Sequence, residues 1–199
     1  MPDYEYDIFL SYRRSGAGLA GEWVRNHFHP LLRDCLADEL ATPPRIFLDV
    51  EQETGTYWPA RLERALRHSR LLVAVWSPPY FQSPWCLAEL TTMSAREQVA
   101  GRASRHDDRG LIYPVVFADG RHFPKQALLR QAVNLHHVTV GRLTYQDSPE
   151  FLELHRQVQK VAQELAELLD HVPAWQANWL VFRPKDLVPQ RPTLPRLEL

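Results

Sequence analysis

A glutamate and a tryptophan four positions apart, Glu89 and Trp85, are the first pair whose residue types and spacing suit chemistry. Ser83 and Pro84 before them predict a helix with a serine N-cap and a proline in its first turn. Residues four apart on a helix share a face, so an indole would lie beside a carboxylate. On spacing alone, however, a helix glutamate is more often a solvated surface charge, and a tryptophan more often packs.

Further polar residues follow three of the apolar runs. Arg13, Arg14 and Ser15 come directly after the first run, and arginine forks match phosphate oxygens in geometry. The alternative is that both arginines are ordinary surface charges. Ser77 ends the third run, where its hydroxyl either bonds the backbone of its own turn or reaches a sugar hydroxyl. Asp49 ends the second run, and we expect it to position the following loop rather than to catalyse.

The segment Gly16-Ala17-Gly18-Leu19-Ala20-Gly21 has the spacing of a dinucleotide-binding fingerprint, G-x-G-x-x-G. Two features argue against that function. Three polar residues separate the preceding strand from the first glycine, and Asp49 lies further past Gly21 than the ~20 residues expected. We interpret the segment as a loop that joins a strand to a helix.

Histidines and cysteines form no metal or nucleophile pattern. His27 and His29 lie two positions apart on a predicted helix and therefore point in different directions. His136 and His137 fall in a predicted strand and alternate between its faces. Cys86 has no neighbouring base, so we expect it to pack. The sequence predicts no metal site.

The chain has 199 residues, 45% hydrophobic and 24% charged, with a formal net charge of −1. This composition excludes disorder as the main state and provides no basic field for nonspecific nucleic-acid binding. No apolar run approaches the ~20 residues of a membrane span, and two cysteines are too few for a disulfide scaffold. We therefore expect a cytoplasmic protein with no nucleic-acid and no membrane partner.

Five short apolar runs predict strands, at residues 6–12, 45–50, 71–77, 111–118 and 135–140. The third run is apolar on both alternating faces, as in a strand covered on both sides. Pro114 lies within the fourth run and predicts a sheet edge or a bulge there. Helical patterns separate the runs, and Pro30 should kink or split the first helix. Ser148 should cap the last helix, whose apolar residues alternate steps of three and four and predict one buried seam: Phe151, Leu154, Val158, Val161, Leu165 and Leu168.

Strands that alternate with helices pair in parallel through right-handed crossovers. The pattern predicts an α/β fold, a flavodoxin-like doubly wound five-stranded parallel sheet in the order 2-1-3-4-5 with helices on both faces. Ligands then bind beyond the carboxyl ends of strands one and three, so the segments after the first three strands should line one crevice. Residues 1–172 would form this domain. Residues 173–199 would form a proline-rich C-terminal tail or linker, with apolar residues able to dock on a surface.

Four segments resemble the sequence boxes of Toll/interleukin-1 receptor (TIR) domains, in the same order and at the same spacing as in that family. They are DIFLSYRR at residues 7–14, FLDVE at residues 47–51 followed by Gly55, VWSP with SPWCLAEL within residues 75–90, and Pro114-Val115. The sequence is similar to the bacterial, NAD+-cleaving type of this family, whose enzymes carry a glutamate where this chain has Glu89.

The resemblance implies that NAD+ is a substrate and that no cofactor is needed. Cleavage of the nicotinamide–ribose bond would give nicotinamide and ADP-ribose or a cyclised ADP-ribose. Nicotinamide leaves as a neutral base, so one ionised carboxylate, Glu89, would suffice to stabilise the positive ribose carbon. Arg13, Arg14 and the backbone of Ser15–Gly18 would bind the pyrophosphate, and Trp85 would stack a nicotinamide or adenine ring.

The family further implies activation by self-association, with residues 51–57 completing a neighbour's site. The setting would be bacterial antiviral defence, with a sensor or effector protein as a further partner. The rival interpretation is a non-enzymatic interaction or adaptor module that recruits other TIR domains through the same loops. A third alternative is a subunit that holds ADP-ribose-like ligands without turning them over.

Overall fold

Apolar runs of the sequence form one sheet of five parallel strands. The strands are β1 (Tyr6–Tyr12), β2 (Ile46–Leu48), β3 (Ser69–Trp76), β4 (Ile112–Val116) and β5 (Val133–Asn134). The computed structural model describes residues 3–14, 18–49, 58–104, 107–139 and 147–187. The strand order is β2-β1-β3-β4-β5 and every pairing is parallel, which confirms the predicted flavodoxin-like fold.

β1 and β3 lie side by side, with Ser11 paired to Ala74 and Tyr12 paired to Val75. β3 is buried along nearly its whole length, as predicted for a strand covered on both faces. Since both strands run in the same direction, the segments that leave their carboxyl ends start from the same edge of the sheet.

Pro114 lies in β4, which has a strand on each side and an uninterrupted register with β3, so the predicted edge or bulge is wrong. Leu111 and Phe117 both hydrogen-bond to β3 through their backbones, so odd-numbered positions face that strand. Pro114 therefore faces the side of β5, which begins only opposite Val115. The proline costs no ladder hydrogen bond there, because no strand residue lies opposite it.

The fifth strand is shorter and earlier than predicted. Instead of residues 135–140, only Val133 and Asn134 pair with β4. The side chain of Asn134 accepts a hydrogen bond from the backbone N–H of His136 at 3.1 Å, which turns the chain out of the extended conformation. His136 and His137 consequently lie in a 3₁₀ turn, not in a strand, with their rings 5.8 Å apart.

Five α-helices flank the sheet in the described residues. They are α1 (Ala20–Trp23), α2 (His29–Glu39), α3 (Trp58–Arg67), α4 (Pro84–Val99) and α5 (Pro149–Leu169). A π-helical turn, Val24–Phe28, joins α1 to α2. Pro30 has no N–H to donate to the preceding turn, so the predicted distortion takes the form of this wider turn before it.

Serine caps begin the two longest helices, as predicted. The Ser83 hydroxyl accepts a hydrogen bond from the N–H of Cys86 at 3.4 Å, and the Ser148 hydroxyl accepts one from Phe151 at 3.2 Å. Gly101, at φ +68°, follows the end of α4 in the left-handed conformation that ends many helices. Within the described residues, none of the helices combines the length and apolar composition that a membrane crossing requires.

The two long helices pack on different parts of the molecule. α5 packs against α2 and buries an apolar seam. α4 packs against β1, β3 and β4. The seam of α5 is the predicted one, Leu154, Val158, Val161 and Leu165.

The described part of the C-terminal segment, residues 173–187, packs on α4. The Trp179 side chain is 3% exposed, and the guanidinium of Arg96 lies 5.1 Å from its ring centre. The N–H of Phe182 donates to the Thr92 hydroxyl at 2.9 Å. The expectation that apolar residues of this segment dock on a surface is confirmed for this stretch.

Candidate active site

Glu89 lies on the face of α4 that packs against the sheet, and its side chain is buried. Only 7% of the residue is exposed, so Glu89 is not a solvated surface charge. The Ser11 hydroxyl, near the carboxyl end of β1, donates to Glu89 Oε2 at 2.5 Å. A charge-assisted hydrogen bond of this kind favours the ionised carboxylate.

Tyr80 extends this contact into a chain of three side chains. It lies in the 3₁₀ turn Tyr80–Gln82 that precedes α4 and is fully buried. Its hydroxyl is 2.9 Å from the Ser11 hydroxyl oxygen. Neither Ser11 nor Tyr80 is among the site residues predicted from the sequence. Ser11 belongs to the TIR-like segment of residues 7–14, but the type and position of a strand serine do not indicate which side chain it will contact.

The surroundings of Glu89 bring the pKa of its carboxyl close to neutral pH. Burial raises the pKa of Glu89 to about 7. The hydrogen bond from Ser11 and the positive charge of Arg14 lower this pKa, whereas the negative charge of Asp49 raises it. The carboxylate can therefore be populated at neutral pH while remaining poorly solvated, which strengthens its interaction with a nearby positive charge.

Arg14 and Asp49 form an ion pair between the segments that follow β1 and β2. The Asp49 side chain is 7% exposed and the Arg14 side chain is 33% exposed, so the pair reaches from the interior to the surface. Asp49 thus holds a neighbouring side chain. Its expected role in positioning the loop that follows it stays a prediction, because that loop lies outside the described residues.

A cavity of about 280 Å³ opens at the carboxyl edge of the sheet. Arg14 lines it, and Glu89, Trp85 and Asp49 do not. The walls also include Arg13, Arg25, Ser77, Pro78 and Phe117.

The cavity and Glu89 lie on opposite faces of the sheet. Successive side chains of a strand point to opposite faces. Ser11 points to α4 and bonds Glu89, so the next residue, Tyr12, points to the other face, where the positive charge of Arg25 lowers the pKa of its phenol against the effect of burial. Arg14 links the two regions, because it lines the cavity and its charge acts on Glu89.

The side chains of Ser77 and Trp85 lie in different environments. The Ser77 hydroxyl is buried and has no hydrogen-bond partner among the described residues, whereas its carbonyl accepts from the N–H of Tyr80 at 2.9 Å. A hydrogen bond from this hydroxyl to its own turn is thus not seen. Trp85 is half-buried and packs against the core, which leaves part of the indole accessible.

Several predicted features lie outside the described residues. These are Ser15, Gly16 and Ala17 in the segment after β1, and residues 51–57, including Gly55, after β2.

Cys86 packs, as expected. Burial raises the pKa of its thiol to about 12, and the thiol lies 3.6 Å from the carbonyl oxygen of Tyr12. In the part of the chain that the structure describes, no three His, Cys, Asp or Glu side chains are grouped as metal ligands would be.

Comparison with known proteins places this chain in a family by its sequence. The family model described as "TIR domain" matches residues 8–152. The Disease resistance-like protein CSA1 of Arabidopsis thaliana is 40% identical over 52 residues, which are 26% of this chain and 4% of that protein. The match thus spans a small fraction of the relative's length. A solved structure described as the activated Roq1 resistosome directly recognizing the pathogen effector XopQ (TIR domains) aligns with 82% of this chain and 84% of its own chain. The alignment has 20% identity and a TM-score of 0.40.

Proposed function

The chain belongs to the TIR domain family, and on that basis we propose that it cleaves the nicotinamide–ribose bond of NAD+, with Glu89 as the catalytic carboxylate. NAD+ is the substrate and no cofactor takes part. The products are nicotinamide and ADP-ribose or a cyclic ADP-ribose-type signal. Self-association through TIR–TIR contacts switches the activity on. The setting is bacterial antiviral defence, with a sensor or effector protein as a further partner.

Cleavage of the nicotinamide–ribose bond requires one carboxylate rather than two. Glycoside hydrolysis ordinarily needs an acid to protonate the leaving group and a second carboxylate to stabilise the sugar cation. Nicotinamide departs as a neutral pyridine, so the acid is unnecessary. An ionised carboxylate beside the ribose stabilises the positive charge that grows on the ribose carbon and accepts hydrogen bonds from the ribose hydroxyls.

The burial of Glu89 is the observation that supports this proposal best. The ordinary role of a helix glutamate, a solvated surface charge, does not fit a residue that is 7% exposed. Ser11 occupies Oε2, and Oε1 accepts no hydrogen bond from any described residue. One carboxylate oxygen is thus held in place while the other stays available to a ligand.

The other predicted site residues take binding roles in this proposal. Arg13 and Arg14 contact the pyrophosphate. Ser77, on the same cavity, bonds a hydroxyl of the ribose on the adenosine side, whereas Glu89 lies beside the nicotinamide ribose. Asp49 holds Arg14 through their ion pair. Trp85 stacks a nicotinamide or adenine ring with the accessible part of its indole. Ser15 contributes backbone contacts to the pyrophosphate from outside the described residues.

The test is nicotinamide release. The purified chain is incubated with NAD+ at high protein concentration, because activation is expected to require self-association, and nicotinamide is followed by chromatography. Glu89→Gln should lower the rate by about 10²-fold or more, the size of effect seen when one group that stabilises charge in the transition state is removed. Glu167→Gln, an exposed acid on α5, is the matched control and should keep full activity.

The outcomes separate the alternatives. Inactivity of the wild-type chain even when it is crowded or assembled would favour the non-enzymatic interaction module. Full activity in Glu89→Gln would place the chemistry on another residue. A product that elutes apart from linear ADP-ribose would indicate cyclisation.

A further inference from the structure

Glu89 is the end of a series of three buried, hydrogen-bonded side chains that come from three different elements. Tyr80 from the 3₁₀ turn, Ser11 from β1 and Glu89 from α4 are 0%, 1% and 7% exposed. The distance from the Tyr80 hydroxyl to the Ser11 hydroxyl oxygen is 2.9 Å, and from there to Glu89 Oε2 it is 2.5 Å. This series of hydrogen bonds is shielded from water, so the direction of each bond affects how strongly the charge on Glu89 is stabilised.

The donors and acceptors can be assigned when Glu89 is ionised. A carboxylate only accepts, so the single hydroxyl hydrogen of Ser11 points to Oε2. The Ser11 oxygen then accepts from Tyr80, whose hydrogen points towards Ser11. Both hydroxyl dipoles are aligned towards the negative charge, so the second donor strengthens the first.

A protonated Glu89 loses the negative charge at Oε2. With its proton on Oε1, Oε2 still accepts from Ser11, but that bond is no longer assisted by charge. With its proton on Oε2, every hydrogen bond of the series reverses. Glu89 would donate to Ser11, Ser11 would donate to Tyr80, and Tyr80 would have to donate elsewhere. The acceptor near it is the Cys86 carbonyl at 3.5 Å, the limit of a hydrogen bond. The neutral form thus either lacks a charged acceptor or ends on a poor one, whereas the ionised form has two short bonds directed at its charge.

The other charges around Glu89 do not replace this chain. Arg14 and Asp49 act on Glu89 with opposite signs, and they already pair with each other. Burial raises the pKa values of Tyr80 and Cys86, so both groups are neutral near pH 7. Among the described side chains, Ser11 alone donates a hydrogen bond to the carboxylate.

We propose that Tyr80 and Ser11 are positioning residues that hold Glu89 ionised, fix its Oε2 and leave Oε1 to face the ribose. This inference rests on the proposed NAD+ cleavage for its role in catalysis. The chain of donors itself does not depend on that function.

The first test is the pH dependence of nicotinamide release in Tyr80→Phe and Ser11→Ala. Tyr80→Phe removes one oxygen and keeps the ring that fills the core. We expect the acid limb of the profile to move up by about one pH unit, so the rate at about pH 6 falls about tenfold. The rate at about pH 9 and the KM for NAD+ should stay nearly unchanged. A merely structural role would lower the rate equally at every pH.

Tyr113→Phe is the matched control. Tyr113 is a buried tyrosine whose hydroxyl donates to Glu164 at 2.5 Å, so the substitution removes the same kind of bond from β4. Its profile should keep the wild-type acid limb. An equal shift in Tyr113→Phe would overturn the assignment of the effect to the Glu89 chain.

The second test needs no turnover. The Glu89 carboxyl is titrated by carbon-13 NMR, assigned by the signal that disappears in Glu89→Gln. Its pKa should rise in Tyr80→Phe and in Ser11→Ala, and either variant serves if the other does not fold. A raised pKa without any NAD+ cleavage would leave the donor chain standing and remove the proposed function. An unchanged pKa in both variants would overturn the positioning role, whatever the activity.

Discussion

Arg14 and Asp49 form an ion pair that joins the carboxyl ends of β1 and β2, and both charges act on the buried carboxylate of Glu89. Arg14 favours the ionised form of Glu89, and Asp49 opposes it. Burial raises the pKa of Glu89, and these two charges shift it further in opposite directions, so removing one or the other should move the pKa in opposite directions.

The rate of NAD+ cleavage should rise with pH and level off near neutrality. The reaction needs ionised Glu89, and its pKa is about 7, so below that pH the rate should increase about tenfold per pH unit. Nicotinamide release measured from about pH 5 to about pH 9 checks this. A rate that falls with increasing pH over this range would contradict a carboxylate in the reacting form.

Asp49→Asn should shift the acid limb of that profile to lower pH. The substitution removes a negative charge that raises the pKa of Glu89, so more of the carboxylate is ionised in acid. We expect a several-fold gain in rate at about pH 6. The exposed Asp119, which pairs with Arg121, provides the control Asp119→Asn, whose profile should match the wild type. A shift of the Asp49→Asn limb to higher pH would show that the sign is wrong.

Glu89→Gln should stabilise the fold at high pH. The pKa of Glu89 rises from 4.5 to about 7 on folding, so the folded state binds the proton more tightly. The stability that this proton confers is present below pH 4.5 and is lost as the pH rises through about 7. Between about pH 4 and about pH 8, the free energy of unfolding of the wild type should therefore fall by about 3 kcal/mol relative to that of Glu89→Gln.

Urea unfolding of both proteins at the two pH values measures this difference. A constant gap between wild type and Glu89→Gln would mean that Glu89 titrates as it does in the unfolded chain.

Gly110→Ala should destabilise the protein strongly. A Cβ at position 110 would lie 2.7 Å from Oε1 of Glu97. That oxygen accepts from the N–H of Leu111 at 2.7 Å and of Ile112 at 3.1 Å, while Arg130 pairs with the same carboxylate. A displaced Glu97 leaves a buried charge with poor partners, so we expect a loss of about 3 kcal/mol or more.

Gly101→Ala provides the comparison in an unfolding experiment. A Cβ there meets no atom within 4 Å, and only the φ of +68° opposes it, so the loss should be about 1 kcal/mol. Equal losses in the two variants would argue that the Glu97 cluster adjusts freely.

Trp179→Ala should lower the stability by about 3–5 kcal/mol, the usual cost of removing a large buried aromatic side chain. The indole is 3% exposed and lies against the Arg96 guanidinium. Leu180→Ala is the neighbouring control, because Leu180 is 62% exposed and should change stability by less than about 0.5 kcal/mol. Equal unfolding midpoints for Trp179→Ala and the wild type would show that residues 173–187 do not pack on α4 in solution.

Local patterns were enough to predict most of the fold. The apolar run of β3, the Ser83 and Ser148 caps and the three-and-four spacing of α5 are properties of neighbouring residues, and all were confirmed. The fifth strand could not be predicted in the same way. A hydrogen bond from the backbone N–H of His136 to the side-chain oxygen of Asn134 competes with strand pairing, and β5 ends where that bond forms.

Some residues of the candidate site could likewise be recognised from local sequence patterns, and others could not. Glu89 and Trp85 could be chosen from spacing and family resemblance, and the burial of Glu89 agrees with the choice. Ser11 and Tyr80 could not, because Ser11 and Glu89 lie 78 positions apart and meet only through the packing of α4 on β1. The separation of the cavity from Glu89 also depends on the sheet, since Ser11 and Tyr12 are neighbours that face opposite sides.

The order of the elements, the parallel sheet and the family could be assigned before the fold was known, because they follow from local periodicity and short motifs. The ionisation of the carboxylate at position 89 depends on tertiary packing. Its pKa depends on how much water the surrounding layers exclude and on which donors they bring within hydrogen-bond distance. Those quantities arise between elements that are distant in the chain, so no local pattern records them.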